Sequence, residues 1–268
     1  MQTDPCQRVI DLDLDFFLRE VVDSRPFRGS RLNAKDYPPW DLAEVMAFLE
    51  DRCELKGRLP GRAVEHHAEV FGLWREGLVR GFLSRPFHVT HIDAHADLGM
   101  SEGGYKYLLC ELVHLPPHER WHPRESTEGE AEAMTDGNYL AFAAGCRWLA
   151  GITYVHPQDH GADIHPFIME SFDPRTGTIR MPRLRRDELS DRGYFIPPRS
   201  FTLPPERLEP PVPLHSISAG EYGADAPFDL IFLARSPTYT PAEADPIYEA
   251  IRERFIDEPA WNQRTGTP

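Results

Sequence analysis

Apolar and polar positions alternate in a few short stretches, and long polar segments separate them. Arg8 to Phe17 reads RVIDLDLDFF, where Val9, Ile10, Leu12 and Leu14 carry a strand signal and Asp11, Asp13 and Asp15 alternate with them. A period of two predicts a strand with three carboxylates on one face; the plain alternative is a half-exposed edge strand. Asp41 to Glu50 has helical spacing, with Asp41 in the N-cap position. Val64-Glu65-His66-His67 reads as a strand end running into a helix, one histidine pointing in and one out. Leu73, Trp74 and Leu78 form that helix's buried face. His91-Ile92-Asp93-Ala94-His95-Ala96-Asp97, read as extended, turns His91, Asp93, His95 and Asp97 to one side and the small apolar residues to the other.

Further along, Leu98 to Gly104 predicts a flexible loop beside that stretch. Tyr107 to Leu115 is apolar with Glu111 and His114 embedded, and 116–135 is a charged loop. Asp136 caps a helix running to about Leu149, and Ile152 to Pro157 is a strand. Residues 159–165 read as surface or as an active-site loop, and 175–191 as a solvated hairpin. The prolines between Pro197 and Pro213 predict an extended connector that could border a groove. Asp229 to Ala234 is a buried-strand signal, Ser236 to Pro241 a turn, and Ala242 to Phe255 a closing helix; the tail from Asp257 is expected to fray. Strands alternating with helices predict one α/β domain over 1–268, a three-layer αβα fold with a mainly parallel central sheet.

Composition narrows the function classes. The chain has 268 residues, 41% apolar and 11% aromatic, enough for a sizeable core. No apolar run approaches the roughly 18 residues that a membrane span needs, and the start carries no signal-peptide pattern, so a cytoplasmic protein away from the membrane is expected. The net charge of -14 argues against nucleic-acid binding and suits a cationic partner. Cys6, Cys53, Cys110 and Cys146 show no CxxC and read as reduced thiols. Gly-rich phosphate loops and a Gly-x-Ser-x-Gly elbow are absent.

Active sites in such folds lie at the carboxyl ends of strands. The aspartates of 11–15, His66/His67 and Asp93/His95/Asp97 each fall at a predicted strand end. Four or five carboxylates with two histidines carry too much negative charge for a structural zinc site. They suit two oxygen-ligated divalent ions, with Mn²⁺ the best match. Ions about 3.5–4 Å apart activate water for attack on a trigonal carbon, which predicts metal-assisted hydrolysis.

Asp93-Ala94-His95-Ala96-Asp97 resembles the Asp-Ala-His-x-Asp motif of the arginase (ureohydrolase) superfamily. Together with DLDLDFF, EHHAEV, DGNYLAFA, YVHP and SPTYTP, it is most similar to the peptide arginases, which convert arginine in a ribosomally made precursor peptide to ornithine and release urea. The resemblance implies an arginase/deacetylase-like fold with two Mn²⁺. The implied ligands are Asp93, His95 and Asp97, joined by Asp13 and Asp15 (or Asp11 and Asp13) and by His67 (or His66). Asp97 would also orient the nucleophile. In arginases the Asp-x-Asp pair follows the Asp-Ala-His-x-Asp motif; here it precedes it, which suggests a circular permutation. His114 or His156 would be the proton shuttle, and Glu102, Glu111 or Glu221 the carboxylate that holds the guanidinium. Asn138 and Tyr139 would shape the pocket. An arginine-containing peptide is the expected partner, and the family's habit of assembly allows a homo-oligomer. Two other readings stand beside this one: a C–N hydrolase for a small guanidine, amidine or acetylated amine, and a non-catalytic binding module. His91 has no counterpart in the motif and reads as a buried packing or supporting residue.

Overall fold

The structure is a computed structural model that describes residues 6–22, 30–99, 103–125, 132–158, 160, 164–189 and 203–263. Its frame is one sheet of eight strands: β1 Arg8–Asp13, β2 Leu59–Val64, β3 Phe87–Ile92, β4 Leu149–His156, β5 Thr178–Ile179, β6 Val212–Ser218, β7 Leu230–Ala234 and β8 Ile256–Asp257. The order across the sheet is β5-β6-β4-β3-β1-β7-β2-β8. Every pairing is parallel except that of β5 with β6. Such a sheet needs cover on both faces, and the helices supply it: α1 Leu42–Ala47, α2 Glu69–Arg80, α3 Gly104–Cys110, α4 Tyr139–Gly145, α5 Asp245–Phe255 and α6 Glu258–Gln263.

Period-two alternation sorts the side chains between two apolar layers. Val9 of β1, Val89 of β3 and Phe232 of β7 join α2, α3, α4 and Trp261 on one face. Ile10, Leu12, Ile231 and Leu233 pack on the other against Val45, Phe48 and Leu49 and against Ile247, Ile251 and Phe255 of α5. Asp11 therefore shares the first face with Val9, and in register it sits beside His91 and Phe232. β1 is a fully enclosed central strand rather than a half-exposed edge. The sheet's far flank is held by an ion cluster in which Glu209 takes Arg120, Arg147 and Arg183.

Several expectations need correction. β3 stops at Ile92, so 93–97 is a bent loop and not a strand face. β1 stops at Asp13, which leaves Asp15 in a tight 3-10 turn, Leu14–Phe17, whose backbone Asp13 caps by accepting from the Asp15 amide. The helix expected to run to Leu149 ends at Gly145, and β4 begins at Leu149. The connector expected to reach Pro213 gives way at Val212 to a strand, Val212–Ser218, which tolerates Pro213 because that residue lies on the flank that meets only two-residue β5. The tail does not fray at Asp257: β8 and α6 continue the fold, and Trp261 is fully buried against Phe82 and Phe232. Part of the proline-rich connector, 190–202, lies outside the described residues. No helix among the described residues is long and apolar enough to cross a membrane.

Candidate metal centre

The carboxyl ends of β1, β2, β3 and β7 meet at the middle of the sheet. β1 delivers Asp13, the turn after it Asp15, the β2–α2 junction His67, the loop after β3 Asp93, His95 and Asp97, and the end of β7 Ser236. All seven line one cavity of about 110 Å³, with Asp136, Gly137 and Tyr239 completing its wall. The strand order makes this convergence possible. β1 lies between β3 and β7; the connection from β1 runs to β2 on one side and the next crosses back to β3 on the other, a reversal that opens a crevice at strand ends.

His67 is the inner pole of the cluster. Its Nδ1 lies 3.0 Å from Asp13 Oδ2, 3.0 Å from Asp93 Oδ2 and 3.2 Å from Asp97 Oδ2. Despite these distances it is aligned for a hydrogen bond with none of them, a buried nitrogen facing three carboxylate oxygens. Its Nε2 turns inward, 3.2 Å from Asp11 Oδ1 and 3.0 Å from the Tyr139 hydroxyl. His66, its neighbour, is exposed and points outward, with Nδ1 4.0 Å from Asp136 Oδ2. His95 is the outer pole. Its Nδ1 lies 3.2 Å from Asp15 Oδ2 and 3.8 Å from Asp93 Oδ1, and its Nε2 meets the Val22 carbonyl at 2.9 Å.

Two groups of ligand atoms close enough for one ion follow: Asp13, His67 and Asp93, and Asp15, Asp93 and His95. Asp93 belongs to both, one oxygen facing each pole. His91 also touches the cluster, with Nε2 3.3 Å from Asp93 Oδ2, and forms further groups with Asp11 and His67 and with Asp93 and Asp97. The local backbone is bent to allow this. Asp97 and Ser236 both adopt left-handed φ, 48° and 47°, at a cost on the order of 1 kcal/mol each. Gly99 closes the wall where its amide donates to the Gly137 carbonyl, and a Cβ at Gly99 would meet that oxygen at 2.8 Å.

The electrostatics of the bare chain call for a cation. Burial, then the charges of Asp15, Asp97 and Asp13, push the Asp93 carboxyl well above the usual range. Burial also lifts Asp97 to about 6, against the opposing pull of His67. Burial and the Asp15 charge raise Asp13. Burial disfavours the His95 cation, but the hydrogen bond and charge of Asp15, with Asp93 and Asp97, still raise it to about 12. Asp11 behaves differently: burial would raise it, yet His67 and His91 hold it far below an ordinary aspartate. Buried carboxylates that repel one another around an unpaired imidazole nitrogen suit bound divalent ions. The donor set fits such ions: two carboxylate oxygens and one imidazole nitrogen per group match hard or borderline metals and not a thiolate site.

The structure brings Asp13, Asp15, His67, Asp93, His95 and Asp97 together. Between the alternatives left open, His67 rather than His66 enters the cavity, and Asp13 and Asp15 rather than Asp11 line it. Several expected residues do not line the cavity. His114 is exposed and its Nε2 bonds to the Leu184 carbonyl, so it does not line the cavity as a proton shuttle would. Asn138 is buried, and its amide is spent inside its own loop, accepting from the Thr135 amide and donating to the Ala133 carbonyl. Its neighbours Asp136 and Gly137 reach the cavity instead. Glu111 pairs with Arg124 and Arg186, and Glu221 accepts from Ser218, so neither lines it. Glu102 lies outside the described residues. In the sequence Ser236 and Tyr239 read only as turn residues, yet both line the cavity. A polar residue one or two places after a buried strand was their only signal.

Compared with protein-family models, curated proteins and solved structures, the chain matches none. A larger groove of about 310 Å³, lined by Arg58, Glu249, Arg252, Glu253 and Glu258, lies elsewhere. Its charges are mixed, and Arg252 pairs with Glu249 and Glu258.

Proposed function

We propose that the chain is a dimanganese hydrolase that converts peptidyl arginine to ornithine with release of urea. The observation that carries the reading is the pair of donor groups sharing Asp93 at the head of one small cavity. When bound there, two divalent ions supply positive charge and an acidified water for attack on a trigonal carbon. Asp13, His67 and Asp93 would hold one position, with Asp97 beside His67, and Asp15, Asp93 and His95 the other.

The remaining residues do the rest. Asp136 gives the cavity wall a carboxylate whose Oδ1 already accepts the Ala68 amide at 2.9 Å, leaving Oδ2 to receive a guanidinium N–H. A carboxylate partner suits that planar cation. Asp97, a ligand facing the cavity, takes the proton of the attacking water and passes it to the departing side-chain nitrogen. Ser236 donates to Asp13 Oδ2 and fixes that ligand. Tyr239 stands edge-on to His95, with ring centroids 5.5 Å apart, and narrows the entrance.

A peptide substrate is favoured over free arginine by the lining itself. Among the described lining residues there is no lysine or arginine to meet an α-carboxylate. A volume near 110 Å³ fits a guanidinium head with the rest of its chain outside. The excess of acidic over basic residues also suits a cationic substrate.

The test is mass spectrometry of arginine-containing peptides incubated with the chain and Mn²⁺. The expected product has lost one CH₂N₂ unit per arginine, with urea in equal amount. Hydrolysis of free small guanidines but not peptides would shift the assignment to the small-guanidine reading. No release from either, with Mn²⁺ bound, would leave a binding module.

A further inference from the structure

Directly beneath the cavity lies a second, wholly buried polar group. Asp11 is 0% exposed and is the lowest of the three aspartates on β1 and its turn. Oδ1 faces His67 Nε2 at 3.2 Å, and Oδ2 faces His91 Nδ1 at 3.2 Å and accepts from the Tyr139 hydroxyl. Tyr139 Oη also lies 3.0 Å from His67 Nε2. His91 continues the chain of contacts, because its Nε2 meets the His95 backbone carbonyl at 3.1 Å. The three rings are packed as well as bonded: His67 stacks on His91 at 5.2 Å and lies 4.9 Å from Tyr139.

An imidazole has two nitrogens, and only the one without hydrogen can hold a metal. A carboxylate against Nε2 keeps the hydrogen there and turns the Nδ1 lone pair toward Asp13, Asp93 and Asp97. The geometry points to Asp11, Tyr139 and His91 as positioning residues, a buried brace that fixes the His67 tautomer and ring angle and ties the 93–97 loop to β1 before any ion arrives. β1 and β3 are rigid and central, so the brace takes its precision from the sheet. Asp11 thus has a task that its place in an Asp-x-Asp-x-Asp run does not disclose: it supports the site without entering it. The inference rests on the metal-binding part of the reading above and not on the reaction.

The experiment uses the full chain with Asp11→Asn and Tyr139→Phe, reading Mn²⁺ affinity by competition with a fluorescent chelator. A second readout is the ¹⁵N imidazole spectrum of the Zn²⁺-loaded protein, with His67 assigned by loss of its signals in His67→Gln. The wild type is expected to show hydrogen on Nε2 and metal on Nδ1. Asp11→Asn is expected to weaken one of the bound ions by about 10- to 100-fold and to populate the reversed tautomer. Tyr139→Phe is expected to weaken it by roughly 3- to 10-fold, the lesser effect of losing a neutral hydrogen bond, and it decides the matter if Asp11→Asn does not fold. A role in packing alone would lower thermal stability and leave affinity and tautomer unchanged, which would overturn the brace. Tight binding with these shifts but no urea release would overturn the hydrolase reading alone. Binding of neither Mn²⁺ nor Zn²⁺ by the wild type would overturn both.

Discussion

The two poles of the cluster are made from the same residue types but are built differently. At the inner pole His67 is 1% exposed, and its Nε2 faces a carboxylate and a tyrosine hydroxyl anchored in the sheet and α4. At the outer pole His95 is 25% exposed, and its Nε2 meets only the Val22 carbonyl in a loop. Both turn Nδ1 toward the carboxylates. The difference teaches where order is supplied: Asp11 of β1 and His91 of β3 back the inner position, and a loop carbonyl backs the outer one. An ion at the inner pole is therefore expected to bind more tightly and exchange more slowly.

The sharpest way to break the comparison is to remove what the poles share. Asp93→Ala is expected to abolish binding at both, taking metal content from about two ions per chain to none and activity below detection. The bare variant should be at least as stable as the bare wild type, because the carboxyl lost is one that its neighbours repel. Thermal unfolding in chelator checks this; a large drop would mean that Asp93 serves the fold.

Removing one pole at a time comes next. His67→Ala should cost roughly 2–4 kcal/mol, since it opens a buried space and strands Asp11 and Tyr139. His95→Ala should cost less than His67→Ala, because the ring is partly exposed and water can take its place beside Asp15. Urea unfolding without metal separates the two, and equal losses would erase the contrast. In metal titrations His95→Ala should keep one tight ion and His67→Ala only a weak one.

Acidity offers a gentler perturbation. Asp97 titrates near 6 and His95 near 12 in the bare chain, so both carry protons that an ion must displace. Raising the pH from 5 to 7 strips Asp97 and should strengthen Mn²⁺ binding, and loading at pH 7 should release protons into weakly buffered solution. The same shift bears on stability. A carboxyl raised from 3.8 to about 6 by folding stabilises the bare protein below pH 4, and that contribution is lost as the pH rises through 6. Chelator-treated protein should thus gain more from added Mn²⁺ at pH 7 than at pH 5, as melting curves would show.

The smallest effects lie at the rim. Asp136→Asn should raise KM for arginine peptides by about tenfold, the worth of one charge-assisted contact, with Mn²⁺ stoichiometry unchanged. A lower kcat at constant KM would instead give Asp136 a part in the chemistry. Ser236→Ala should weaken one ion by about fivefold, in line with one hydrogen bond.

Much of this architecture was legible in the chain. Alternation in RVIDLD identified a strand, and a β–α rhythm predicted a mainly parallel sheet. The ligand candidates were legible because few other roles demand Asp and His at such spacing. What misled was geometry within the motif. Residues 91–97 alternate like a strand, yet only His91 and Ile92 belong to β3, and Asp97 reaches the cluster through a left-handed turn. Periodicity cannot see a strand's end when the loop after it keeps the same alternation. The support of His67 by Asp11 and Tyr139 was hidden for another reason: its members are 56 and 72 residues from His67 in the chain. The structured tail was misread because Trp261 stands alone in a polar stretch, and only its pocket against Phe82 and Phe232 gives it a reason to be buried.

The position of β1 in the sheet has a consequence for how the protein comes to exist. β1 precedes every other strand, but its partners are β3, about 80 residues on, and β7, more than 200 residues on. A growing chain holds Asp13 long before it holds Ser236, which lies 223 residues away. Until β7 arrives, one edge of β1 stays open and the crevice has only one side. Pairings so distant are slow to close, because loop entropy opposes them first. The site is therefore among the last parts of the molecule to be assembled, and a half-made chain lacks part of the set of side chains that the finished crevice brings together.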